Sequence, residues 1–296
     1  MDTRRQFLTS SLGLIVAGPL HARPMSDCRE NQPSGDEAQI AVQFVRARLE
    51  ARSLAQFPGT VPTDLAAAYR CQELAIARWP EPVAGWKVAK PSLQQSARWG
   101  GVKRIIGPAF SSQILSAAPG QSIDCSFIPG GMNAFDGEIV IRVGRDAPPA
   151  KIEWTIDEAA DMVGELCIGI EIVCSPLPTL KDYDVAAVVA DFAACFGMVT
   201  GPVVADWRKL DRIRVTCSAD GTVGRTGVTT LRDGPLDAYA FTLGECARRG
   251  RPLKAGALIT TGAVTASRVV FGQSSSFMFE GLGEIRCRAV EAMPRV

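Results

Sequence analysis

Five ionisable side chains stand in apolar surroundings, and through them this 296-residue chain could do chemistry. Asp136 and Glu138 lie two apart in FDGEIVIRVG, a β-branched run that reads as a strand, where a period of two puts both on one face. Like charges so close repel unless a cation lies between them, though an exposed strand edge would also carry such a pair. Glu171 sits inside LCIGIEIVCS. An ionised carboxylate costs several kcal/mol to bury alone, so it must be paired to a basic side chain, protonated or coordinated to a metal. Lys87 in VAGWKVAK needs a carboxylate partner or a depressed pKa for the same reason. Asp191 in AAVVADFAACFG is another buried-looking charge, with helix or strand capping as its alternative role.

What the chain lacks narrows the chemistry further. Its one histidine is His21, within a segment that reads as removable. Ser-His, Cys-His and His-metal sites are then excluded, which leaves carboxylates, Lys, Tyr, Cys or a carboxylate-bound metal. The net charge of +1 gives no electrostatic reason to hold nucleic acid or an anionic membrane, so a small molecule is the expected partner. Nine cysteines without a C-x-x-C pair suggest no zinc site and no disulfide framework. Cys71, Cys167, Cys174, Cys195 and Cys246 have apolar neighbours and read as buried thiols, and Cys28 as an exposed one.

Residues 1–22 read as a signal peptide: Arg4 and Arg5, an apolar stretch from Phe7 to Leu20, and a small-residue exit at Ala22. The stretch is too short to span a bilayer. Thr3-Arg4-Arg5-Gln6-Phe7-Leu8 is similar to the twin-arginine export motif, which implies a periplasmic protein exported already folded.

The elements that must position the charged residues follow a polar linker over 23–37. Helical spacing predicts helices over Ala38–Ser53 and Thr63–Arg78, the second capped by Thr63, within a helical region 38–82. From Val83 to the C-terminus short β-branched runs between Gly and Pro predict a β-rich body over 83–296, including ALITTGAV, SRVVFG and GEIRCRAV. Thr155 and Glu158 form a capping box for a helix reaching Val163, and Pro235 and Gly250 bracket another. The class is α+β, with no dinucleotide or Walker loop.

AAAYRCQ, GWKVA, RIIGPAF, the carboxylate-x-carboxylate strand, IEIVCS, ADFAACFGMVTG and LKAGALITTGAVT occur in this order over about residues 38–289. Together they resemble the fumarylacetoacetate hydrolase superfamily, in the branch of 2-keto-4-pentenoate hydratases and 4-oxalocrotonate decarboxylases. The resemblance implies a mixed β-sandwich roll with an N-terminal helical region. It also implies a Mg²⁺ or Mn²⁺ ion on Asp136, Glu138 and Glu171, Lys87 as the active-site lysine, Asp191, Thr261 and Gly262 toward substrate, and a homo-oligomer. The expected activity is that of a lyase, hydratase or decarboxylase, acting on a 2-hydroxydienoate or 2-oxo acid through an enolate that the ion stabilises. Three positions depart from the family pattern: Asp136 stands where the branch has Glu, Ala263 where it has Ser, and Ala89-Lys90-Pro91-Ser92 replaces Gly-x-Thr-Ser. The first and second motivate an alternative, an exported non-catalytic binder of small acids. A carbon–carbon hydrolase is disfavoured, because that branch activates water with a His-Glu pair.

Overall fold

The computed structural model describes residues 35–295. The signal peptide, most of the linker and Cys28 lie outside the described residues. Six helices and thirteen strands follow in chain order: α1 (Gly35–Leu49), α2 (Leu65–Ile76), β1 (Val83–Ala89), α3 (Leu93–Arg98), β2 (Ile105–Phe110), β3 (Ile114–Ser116), β4 (Ser122–Phe127) and β5 (Met132–Val143). They continue with α4 (Ile156–Ala160), β6 (Val163–Ser175), α5 (Val185–Ala190), β7 (Cys195–Val203), β8 (Arg212–Ala219) and β9 (Thr222–Thr230). The last are α6 (Asp237–Arg248), β10 (Leu258–Thr260), β11 (Thr265–Arg268), β12 (Ser274–Phe279) and β13 (Gly283–Glu291). The α+β class and the helical N-terminal region are as expected, and no helix among the described residues is long and apolar enough to cross a membrane.

Several boundaries differ from the sequence pattern for local reasons. α1 ends four residues before Ser53, because Ala51 turns left-handed (φ 50°) and the Arg52 amide reaches back to the Ala47 carbonyl, a terminating geometry that satisfies orphan carbonyls. Asp64 rather than Thr63 caps α2, accepting from the Ala67 amide. The Thr155–Glu158 capping box forms, but α4 stops at Ala160 because the chain must be extended by Val163 to enter β6. Pro235 lies in a wide turn before α6, and Gly250 follows it at φ 69°. SRVVFG is not one strand: β11 covers Thr265–Arg268, and Val270 and Phe271 are exposed.

An eight-stranded sheet runs β2-β1-β10-β5-β6-β7-β3, with β11 also on β5, and a second sheet runs β4-β13-β12-β8-β9. Alternation along β5 places its two faces in different environments. Phe135, Ile139 and Ile141 are buried in the main core, where Phe135 meets Phe127 and Phe277 edge-on at ring separations of 4.9 and 6.4 Å. Each fully buried Phe stabilises this core by about 2–3 kcal/mol. Gly137 is required there, since a Cβ would come within 2.7 Å of Phe277. The opposite face carries Asp136, Glu138 and Val140. The eight cysteines among the described residues are all free and buried, in agreement with the five read from their apolar context.

Candidate metal centre

Asp136 and Glu138 reach one site because β5 is extended, and Glu171 joins them because antiparallel pairing sets it directly opposite Asp136 on β6. Glu138 faces Gly169, where any Cβ would come within 2.2 Å of Val140, so the partner strand leaves the Glu138 side chain unobstructed. One oxygen from each of the three carboxylates lies within 4.8 Å of the others. Lys87 comes from β1, which two strands separate from β6. In a flat sheet those backbones would stand about 14 Å apart. The sheet curls, and Lys87 Nζ meets Glu171 Oε1 at 3.0 Å across its concave side.

Glu138 and Glu171 are almost wholly buried, at 1% exposure each, and Lys87 is 6% exposed. Burial, then the charge of Glu171, pushes the Asp136 carboxyl up to about 7. Burial also raises Glu138 well above the carboxylate range, aided by the charges of Glu171 and Asp136. Burial pulls Lys87 down, but the Glu171 and Glu138 charges outweigh it and hold the ammonium above its ordinary range. Glu138 Oε2 accepts from the Gly262 amide at 2.7 Å, while its Oε1 is buried without a hydrogen-bond partner. Gly262 adopts φ 105°, which favours glycine, and the Thr261 hydroxyl anchors the same turn on the Ile139 carbonyl at 2.8 Å. A converging set of carboxylate oxygens, with Glu138 Oε1 unsatisfied and the Asp136 and Glu138 carboxyls raised by burial and by neighbouring negative charge, fits a hard divalent cation.

A cavity of about 280 Å³ opens onto these groups. Thr261, Gly262 and Ala263 line it, so the expected Thr261–Gly262 pair is at the site, although both bond to protein groups. Asp191 does not line it. Its carboxylate pairs with Arg48 at 2.7 Å in a fully buried contact, so the structure does not bring Asp191 to the substrate cavity expected for it. Lys90, Arg104 and Thr229 line the cavity unforeseen. Arg104 is 3% exposed and held by Asp237 at 2.6 Å. Its place before the apolar run IIGPAF marked it in the way that Lys87 was marked; Lys90 and Thr229 carried no such signal.

No protein-family model matches the chain. A 4-oxalocrotonate decarboxylase of Pseudomonas putida is 27% identical over 259 residues, 85% of this chain and 96% of that protein. A 2-keto-4-pentenoate hydratase of Burkholderia vietnamiensis is 26% identical over 266 residues, 86% and 97% of the two chains. The structure of a P. putida 4-oxalocrotonate decarboxylase with magnesium and adipate superposes with a TM-score of 0.72 at 22% identity, covering 86% of this chain and 97% of the other. The chain has the fumarylacetoacetate hydrolase fold. Its homologues are the hydratases and decarboxylases of the branch read from its motifs. The fold extends to fumarylpyruvate hydrolase of Pseudomonas aeruginosa with Mn²⁺ and pyruvate, at a TM-score of 0.53, 15% identity, and coverage of 72% and 91%. Magnesium and manganese respectively are thus present in these two solved structures.

Proposed function

We propose that this protein is a divalent-metal-dependent lyase of 2-oxo acids or 2-hydroxydienoates. The observation that carries this reading is the convergence of Asp136, Glu138 and Glu171 at the base of one cavity, with Lys87 3.0 Å from Glu171. Asp136, Glu138 and Glu171 would hold a Mg²⁺ or Mn²⁺ ion. Such an ion supplies Lewis acidity to the carboxylate and 2-oxo oxygens of a bound acid. Asp136 is one methylene shorter than Glu, and its place directly opposite Glu171 on the adjacent strand keeps it within the cluster.

Lys87 remains charged, so its first role is electrostatic: Nζ stabilises negative charge that develops on the substrate's conjugated 2-oxo system. In a decarboxylation, the bond from the distal carboxylate carbon breaks, CO₂ leaves, and the electron pair passes through the conjugated chain to the 2-oxo oxygen. In a hydration, water adds across the dienoate to give a 4-hydroxy-2-oxo acid. Lys90 and Arg104 favour the first outcome, because cationic groups on the cavity wall suit a substrate with a second carboxylate. Export to the periplasm, proposed on Arg4 and Arg5, would place this chemistry outside the cytoplasm.

The test is metal content and turnover of the purified chain beside an Asp136→Ala/Glu138→Ala variant. One Mg²⁺ or Mn²⁺ per chain, lost in the variant, with consumption of a 2-oxo-3-enedioate or a 2-hydroxydienoate followed by ultraviolet absorbance, is the expected result. Failure to bind either ion in excess would overturn the lyase reading and favour the non-catalytic binder.

A further inference from the structure

The Lys87–Glu171 contact spans two non-adjacent strands, so something must set how far the sheet curls. β1 continues outward to β2, where Gly107 is the register partner of Lys87. β6 continues outward to β7, where Met198 is the partner of Glu171 and Cys195 that of Val173. The segment joining α5 to β7 lies between these two flanks. A Cβ on Gly107 would stand 1.8 Å from the Phe192 carbonyl oxygen, so the segment is pressed onto the strand that backs Lys87. Three residues later it becomes the strand that backs Glu171.

That segment has an unusual backbone. Phe192, Ala193 and Ala194 all have positive φ, at 53°, 52° and 59°. Consecutive left-handed non-glycine residues persist only where the surroundings over-determine them. Arg48, from the last turn of α1, supplies much of that constraint with a guanidinium fully shielded from solvent. Nε donates to Asp191 Oδ1 at 2.9 Å, Nη1 to the Cys195 carbonyl at 2.8 Å, and Nη2 to the Cys174 and Asp191 carbonyls at 3.1 Å each. The fork therefore ties β6 to the start of β7 where their pairing is interrupted between Ile172 and Val173. The Phe192 and Phe196 rings cover it at 5.1 and 5.7 Å.

We propose that Arg48 and Asp191 are positioning residues for the metal centre, clamping the left-handed turn Phe192–Ala194 between the strands that back Lys87 and Glu171 and so setting the distance between those two side chains. The inference rests on the metal-lyase reading above. Neither residue lines the cavity, so the effect passes through backbone placement.

The test is Mn²⁺ affinity, measured by electron paramagnetic resonance on the full chain and on Phe196→Leu, Asp191→Asn and Arg48→Lys variants, each checked for native circular dichroism. Groups that hold metal ligands in place are worth about 10- to 100-fold in affinity. Arg48→Lys and Asp191→Asn should weaken Mn²⁺ binding by about 10-fold or more, and Phe196→Leu, which removes one of the two rings over the Arg48 guanidinium, by about 2- to 3-fold. Lysine retains the charge and cannot reach the carboxylate and two strand carbonyls together, whereas Asp191→Asn removes a charge and keeps the shape, so the two variants separate geometry from charge. Folded variants with a lower melting temperature but wild-type Mn²⁺ affinity would make the clamp purely structural and overturn the proposal. Should the two stronger variants not fold, Phe196→Leu decides by the same criterion. A wild-type chain that binds no Mn²⁺ refutes the metal reading itself, a result distinct from equal binding by wild type and variants.

Discussion

Without a cation, the carboxylate cluster should make this protein less stable as the pH rises, and a divalent metal should abolish that loss. The Asp136 carboxyl, ordinarily near 3.8, is pushed up to about 7 in the fold by its partial burial and by the charge of Glu171 opposite. A folded-state pKa above the unfolded one means that the folded chain retains a proton the unfolded chain has lost. The stabilisation is fully present below about pH 4 and disappears as pH rises through about 7. Moving this carboxyl from 3.8 to about 7 sets the contribution of Asp136 at about 4 kcal/mol at most, a large part of a domain's net stability. Glu138 is displaced in the same direction and adds to it. Surface carboxylates paired to bases act oppositely but at lower pH; Glu158, held at about 2 by Lys151 and Thr155, is an example. With His21→Gln, no histidine titrates in the window. Urea unfolding of that variant in EDTA should show stability falling between about pH 5 and pH 8, and excess Mg²⁺ or Mn²⁺ should flatten the profile. Adding Asp136→Asn should make the EDTA-treated chain more stable than its parent at about pH 8, because an uncompensated charge is removed. A metal-free parent that holds or gains stability up to about pH 8, or an Asp136→Asn chain weaker than it there, would refute the assigned electrostatics.

Three further outcomes are expected. Lys87→Met should lower turnover by about 10²- to 10⁴-fold while Mn²⁺ binds at least as tightly as before, since a positive charge leaves the site; steady-state kinetics with a metal titration separates the two effects. Gly262→Ala should weaken metal binding and lower the melting temperature, because φ 105° costs about 1–3 kcal/mol with a Cβ and the Gly262 amide orients Glu138; equal Mn²⁺ titrations of variant and parent would count against that orienting role. Replacing Arg4 and Arg5 by Lys should retain the protein in the cytoplasm of a twin-arginine-competent bacterium, as read from cell fractionation.

Much of the site can be read from local sequence, for identifiable reasons. The period of two in a strand places Asp136 and Glu138 on one face whatever the strand pairs with. The cost of burying a lone charge marks Glu171 and Lys87 as groups that need partners, and the lack of any histidine after His21 and of any C-x-x-C pair points a metal site to oxygen donors. Helix ends are less legible, because the Ala51 turn and the entry of Val163 into β6 depend on neighbours as well as on propensity.

Tertiary structure alone decided which charges meet. Nothing in VAGWKVAK or IEIVCS says that Lys87 and Glu171 lie 3.0 Å apart, since that contact depends on register across several strands and on the curl of the sheet. The same holds for Asp191, marked by its sequence as a buried charge in need of a partner but assigned by the fold to Arg48, 143 residues away, instead of to the cavity. Local sequence sets which side chains share a face and which charges require compensation, because both follow from backbone period and solvation. The choice of compensating partner is a long-range property of strand register and sheet closure, and it exists only in the folded chain.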